Sequence, residues 1–146
     1  MSKKVVALAS DHAGFELKEQ LKEYVRFLGY DTVDLGPDNG VNKVSYATQG
    51  NELAEYINSR KPDFGIGVCG TGLGISYALN RHKHIRAARI TSVEDAHLAK
   101  QHNNANVLVF GGRQLKTEDA IKMIDEYLKT DFEGGRHIER IEELDK

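Results

Sequence analysis

The 146-residue chain carries 20 Lys and Arg against 22 Asp and Glu, with 40% hydrophobic and 29% charged residues. This suits one domain with its own core, residues 1–146, and offers none of the basic excess that nucleic acid demands. Cys69 is the single cysteine, no apolar run approaches the ~18 residues of a membrane span, and the opening MSKKVVALAS is too briefly apolar for a secretion signal, so a reducing, cytoplasmic setting is expected. Residues 4–10 (KVVALAS) form a nearly all-apolar run, as expected of a strand buried on both faces. Over 15–29, Phe15, Leu17, Leu21, Tyr24, Val25 and Leu28 fall on one helical stripe, and Gly29 supplies the stop. A second strand follows at 30–36, turn chemistry at 37–43 and a helix at 46–60. The third strand spans 62–70. The helix after it begins within the glycines and runs to about Asn80. Residues 85–90 form a fourth strand. The helix over 92–103 has Ser92 as N-cap and Asp95 at its third position, an acidic variant of the capping box. The fifth strand is 106–112, followed by a helix over 117–130 capped by Thr117. The tail, 133–146, breaks at Gly134–Gly135 and resumes as a short charged helix.

Five strands, each followed by a helix, predict a Rossmann-like three-layer α/β/α sandwich. Its five-stranded parallel sheet is expected in the order 2-1-3-4-5, with a C-terminal helical tail. Ligands of such sheets bind beyond the carboxyl ends of the strands, at the topological switch point. That rule singles out SDHAG after the first strand, CGTGLG after the third, ITSVED after the fourth and FGGR after the fifth.

In CGTGLG, Gly70, Gly72 and Gly74 occupy a strand-to-helix junction, where backbone amides can face an anion. The dinucleotide fingerprint fails at Ile75, which is also where a phosphatase-like loop needs arginine. Cys69 is either a small apolar residue or, beside a helix N-terminus, a thiolate base or nucleophile. Asp11 and His12 could bind hydroxyls and phosphate or move protons; alternatively, Asp11 or Ser10 caps the first helix. His102 and Asn103 sit at the amino end of the fifth strand, the wrong end for a site on the same subunit. They are therefore structural or serve a neighbouring subunit. His97 and His102 are five apart and share no helix face, so no metal pair is expected. His82 and His84 read as a solvated loop. Arg136 and Arg140 share one helix face, as a phosphate clamp or as a salt-bridged surface, and Arg113 leaves a strand at its carboxyl end.

Together, ASDHAGFELK, GVCGTGLGIS, QHNNANVLVFGGR and EGGRHIERI resemble the signature segments of the ribose-5-phosphate isomerase B family, which includes the galactose-6-phosphate isomerase subunits. The resemblance spans nearly the whole chain, in order. It implies an aldose–ketose isomerase of sugar phosphates working through an enediolate, with no metal and no cofactor. On this resemblance Cys69 is the base, and Thr71 with the amides of Gly70 to Gly74 holds the oxyanion. Asp11 and His102 handle hydroxyls and ring opening, and Asn103 contacts the sugar. His12, Arg113, Arg136 and Arg140 hold the phosphate. It also implies a homodimer, or a tetramer, with sites built across the interface. The family's Asp-Tyr-Pro segment before the second helix is here Asn42, Lys43 and Val44, and Tyr77, Leu79 and Arg81 stand where small residues and lysine are commoner. Ribose 5-phosphate is the simplest substrate. Another tetrose, pentose or hexose phosphate, such as galactose or allose 6-phosphate, is an alternative, as is a binding subunit inactive without a paralogous partner. A thiol hydrolase is disfavoured by the missing arginine.

Overall fold

The computed structural model describes residues 3–146. Eleven elements alternate along it: β1 (Val5–Ser10), α1 (Phe15–Phe27), β2 (Asp31–Asp34), α2 (Tyr46–Arg60), β3 (Phe64–Cys69), α3 (Leu73–Asn80), β4 (Ala87–Arg89), α4 (Val93–Asn103), β5 (Val107–Gly111), α5 (Thr117–Lys129) and α6 (Arg136–Leu144). All strand pairings are parallel. Alternate side chains divide the core into two layers. Val6, Leu8, Ile66, Val68, Leu108 and Phe110 meet Leu17 and Leu21 of α1 and Ala120 and Ile124 of α5. Ala7, Ala9, Cys69, Val107 and Val109 meet Leu53 and Ile57 of α2 and Ile75 and Leu79 of α3. The three-layer expectation holds. Among the described residues, no helix is long and apolar enough to cross a membrane.

The strand order is β2-β1-β3-β5-β4, which corrects the expected 2-1-3-4-5. The reason lies in burial. β5 (VLVFG) is wholly buried and suits an interior position. β4 has only three residues, all half-buried, and ends in Arg89, as suits an edge strand. The exchange sets β5 directly beside β3, in a register that pairs Cys69 with Gly111. Ser10 of β1 pairs with Val68 on the other side of β3. The carboxyl ends of the three central strands are therefore level.

Ser92 caps α4 as expected, accepting from the Asp95 amide at 3.0 Å. The Asp95 carboxylate reaches one residue further back than a capping box does, to the Thr91 amide at 3.0 Å and its hydroxyl at 2.8 Å. Thr117 does not cap α5. Lys116 is the N-cap and makes no side-chain bond, while the Thr117 hydroxyl donates to Gln20 Oε1. Thr117 is thus spent on joining α5 to α1.

Lys18 of α1 is fully buried, yet its Nζ donates to Asp34 Oδ1 at 2.7 Å, Pro37 O at 3.0 Å and Glu19 Oε2 at 3.2 Å. Lys22 Nζ takes the other Asp34 oxygen at 2.8 Å. Burial alone would raise the Asp34 carboxyl. The hydrogen bonds from Lys18, Lys22 and the Gly36 amide outweigh it and hold the group at about 2. A depressed carboxyl stabilises the fold above its unfolded value, and that gain is lost as pH falls through the folded value. Urea unfolding followed from pH 5 to pH 2 should therefore lose about 2 kcal/mol at this group. Asp34→Asn should lack this acid-dependent component and cost about 3–5 kcal/mol at neutral pH, since it leaves the buried Lys18 ammonium short of its counterion.

Candidate active site

The level strand ends bring three loops together. Gly112 N donates to Cys69 O at 2.7 Å, Arg113 N to Gly70 O at 3.0 Å, and Asp11 N to Val68 O at 3.1 Å. The packing leaves no room for side chains between them. A Cβ on Gly14 would lie 2.5 Å from Val68 O, and one on Gly111 would lie 2.8 Å from the carbonyl of Thr71. Gly72 turns the chain into α3 with φ +83°, a left-handed conformation that glycine adopts without strain.

That turn aims the Gly72 amide at the buried Cys69 sulfur, N to Sγ 3.2 Å. Thr71 stands exposed beside it. Its Oγ1 accepts from Leu73 N at 3.2 Å, which leaves the hydroxyl proton free to donate outward. The Thr71 carbonyl is held from behind by Arg89 Nε at 2.9 Å, and Arg89 Nη2 in turn donates to Gln114 Oε1 at 3.0 Å. Asp11 is buried and accepts from the Gly14 amide at 2.9 Å, so its carboxylate ties the loop rather than capping α1, whose N-cap is Gly14. His12 Nδ1 accepts from Val44 N at 3.2 Å. In the neutral ring this bond assigns the proton to Nε2, as a donor.

A cavity of about 630 Å³ opens over these groups. It gathers Asp11, His12, Cys69, Gly70, Thr71, Gly74 and Arg113 of the residues expected from sequence. Gly72 contributes its amide from behind the wall. Ala13, Lys43, Val44, Ser45, Tyr46 and Tyr77 complete the lining. The sequence marks Lys43, Val44 and Tyr77 as departures from a family pattern, with the Asn42–Val44 segment expected to face the substrate, and the structure places all three of these residues in the cavity wall. Their position follows from Ser45, which caps α2 by accepting from Ala47 N at 3.1 Å and so starts that helix over the mouth of the site. The Tyr46 ring lies against the first turn of α3, where a Cβ on Gly74 would meet it at 2.7 Å. Arg89 and Gln114 are the supporting residues that sequence reasoning missed. Their only signal is a charged residue ending an edge strand.

The remaining four expected residues lie elsewhere. His102 lies in the last turn of α4 and stacks on His137 of α6, with ring centroids 4.6 Å apart and planes at 18°. Asn103 lines a second cavity of about 440 Å³, with Arg86 and Asp145. Arg86 bonds Asp145 through both carboxylate oxygens at 2.9 and 3.1 Å and so fastens the end of α6 to the start of β4. Arg136 and Arg140 stand exposed on α6, and Arg136 lies 3.7 Å from Glu133. Burial, followed by the positive charge of Arg136, holds the His137 imidazole below its ordinary range. One chain thus presents two separate sets of candidate groups. His82 contacts Asn51 at 2.9 Å, and His84 remains exposed, as a solvated loop would have it.

Because Gly111 meets backbone rather than a yielding side chain, Gly111→Ala must displace the Thr71 carbonyl. It should cost about 1–3 kcal/mol in chemical denaturation. A variant as stable as the parent would show that the loops can part.

The geometry has close counterparts. The ribose/galactose isomerase family model matches residues 6–144. The ribose-5-phosphate isomerase B of Escherichia coli is 36% identical over 141 residues, 97% of this chain and 94% of that one. The crystal structure of a ribose 5-phosphate isomerase from Thermotoga maritima superposes with a TM-score of 0.94 at 44% identity, covering 99% of each chain. The ribose-5-phosphate isomerase B of Mycoplasma genitalium, solved with bound ribulose-5-phosphate, superposes at 0.92 with 36% identity, covering 99% of this chain and 95% of that one. With sheet, strand-end loops and sequence matched over this span, the chain belongs to the ribose/galactose isomerase family.

Proposed function

We propose that this protein is a metal-independent aldose–ketose isomerase of a sugar phosphate, interconverting ribose 5-phosphate and ribulose 5-phosphate through an enediolate. The observation that carries the reading is the placement of Cys69 Sγ beside an amide-lined glycine loop, at the wall of a cavity that also holds His12 and Arg113. A relative with the same fold was solved with ribulose-5-phosphate bound.

In this reading the Cys69 thiolate takes the proton from C2 of the open-chain aldose and returns it at C1, while the proton of the C2 hydroxyl passes to O1. The charge that develops on the carbonyl oxygen is met by the amides of Gly70 to Gly74 and by the Thr71 hydroxyl. Asp11 engages the sugar hydroxyls. His12, through Nε2–H, and Arg113 hold the phosphate end of the same cavity. His102 for ring opening, Asn103 for the sugar, and Arg136 and Arg140 for the phosphate come from a second copy of the chain. The separation of these four from the cavity within one chain supports a homodimer, in which α6 and the end of α4 of one subunit close the site of the other.

Cys69→Ala should cut turnover by roughly 10²–10⁴-fold while the unfolding curve stays near that of the parent. Near-full turnover in that variant would remove Cys69 as the base. Arg140→Ala should raise KM for the phosphorylated sugar by about tenfold or more, with a smaller effect on kcat, because it removes a charge-assisted contact. Equal turnover of ribose and its phosphate would contradict that role.

A second sugar phosphate is favoured by one observation: Lys43 and Val44, which replace the family's Tyr-Pro, line the cavity. Four-, five- and six-carbon sugar phosphates incubated with the purified single chain in heavy water should separate the readings. Solvent label at C1 or C2 identifies both the proton transfer and the accepted sugar. Binding without label in every sugar would instead identify a binding subunit.

A further inference from the structure

The second set of groups has chemistry of its own. Glu133 and His137 lie four residues apart in sequence at the entry to α6, and His137 N bonds Gly134 O at 3.1 Å. Glu133 N donates to Gln101 O at 2.9 Å, which fastens this turn to the end of α4, where His102 sits. The potential ligand atoms of His102, Glu133 and His137 all lie within 4.8 Å of one another. His137 is the fixed member: its side chain is 7% exposed, and among the described residues its Nε2 has no hydrogen-bond partner. Glu133 Oε2 lies 3.4 Å from that nitrogen. A buried imidazole nitrogen that lies beside a carboxylate without completing a bond calls for an explanation.

We propose that His102, Glu133 and His137 form a binding site for a divalent transition-metal ion of the Zn²⁺ class, and that occupancy withdraws His102 from isomerisation. Two imidazoles and one carboxylate are a donor set suited to zinc, whereas magnesium and calcium take oxygen ligands. Bonds of about 2.0–2.1 Å in a tetrahedron place donors roughly 3.4 Å apart, so the cluster must contract and the stacked rings must tilt toward the ion. Glu133 is exposed and His102 half-buried, so both can move toward the fixed His137. The exposed Arg136–Glu133 pair opens at little cost. Metal binding rests on these three residues alone; the inhibitory consequence rests also on the role proposed above for His102.

Cobalt(II) titrated into the full-length protein should bind at one ion per chain. Its low-coordinate visible absorption should appear without the sulfur-to-metal band that ligation by Cys69 would produce. Glu133→Gln and His137→Asn should each weaken binding by about tenfold or more. Cys69→Ala should leave it unchanged. No binding, unaltered binding in both variants, or a sulfur band would overturn the site. Glu133→Gln alters an exposed residue, so it keeps the test open should His137→Asn unfold. In the kinetic arm, Zn²⁺ should inhibit the parent reversibly and a chelator should restore it. Glu133→Gln should keep basal turnover and lose at least about tenfold in sensitivity. Equal inhibition of parent and Glu133→Gln would overturn the inhibitory link. A parent with no isomerase activity would overturn the functional reading, while the cobalt titration still judges the metal site.

Discussion

Three strand-end loops must pass one another at backbone contact, and the rest of the site depends on that approach. Gly14 against Val68, and Gly111 against Thr71, leave less space than any Cβ needs. The gap is closed instead by main-chain hydrogen bonds from Gly112 to Cys69 and from Arg113 to Gly70. These bonds share out backbone groups that would otherwise be buried without partners. They also fix where the Cys69 sulfur, the Thr71 hydroxyl and the start of α3 stand relative to one another. Arg89 adds a brace from the edge strand, bonding the Thr71 carbonyl from outside. A loop held by backbone on one side and a guanidinium on the other can present amides to a developing negative charge with little reorganisation.

The arrangement of strands serves the same junction. With β5 beside β3, the glycines and arginine that leave β5 reach the glycine loop directly, and Arg113 packs against Gly70. Had β4 occupied that position, its end would have offered Thr91 and Ser92, which are engaged with Asp95 in starting α4. The same topology sends α4 back across the sheet, so His102 and Asn103 finish far from the cavity. The C-terminal helix is then pinned at both ends, by Glu133 on Gln101 and by Asp145 on Arg86. This rigid arm carries Arg136, Arg140 and the stacked imidazoles, and in the proposed dimer it is the part that a second subunit receives.

At the mouth of the cavity the chain is individual. Lys43 and Val44 stand where the family pattern has tyrosine and proline, and the Val44 amide sets the His12 ring by donating to Nδ1. A backbone group performs that orientation, so the exchange of side chains leaves the His12 donor in place while changing what faces the cavity. The segment therefore separates two properties: the orientation of the His12 ring, and the shape and charge of the entrance.

By itself, the sequence determined the alternation of strands and helices, the layered fold and the chemistry of the strand-end loops. Those features are local: apolar runs, one-sided stripes and glycines at strand-to-helix junctions are written in consecutive residues. The family resemblance supplied roles for His102, Asn103, Arg136 and Arg140, which their position at the amino end of the sheet could not. Tertiary structure decided the order of β4 and β5, because two short strands compete for one interior position and total burial favours the wholly apolar β5 over β4 with its Arg89. It decided that Thr117 joins α5 to α1 rather than capping, since Gln20 is distant in sequence. It placed Lys43, Tyr46 and Tyr77 around Cys69, and brought His102, Glu133 and His137 together. Those groupings depend on how helices dock over the sheet, and docking is fixed by the packing of whole faces rather than by any stretch of the chain.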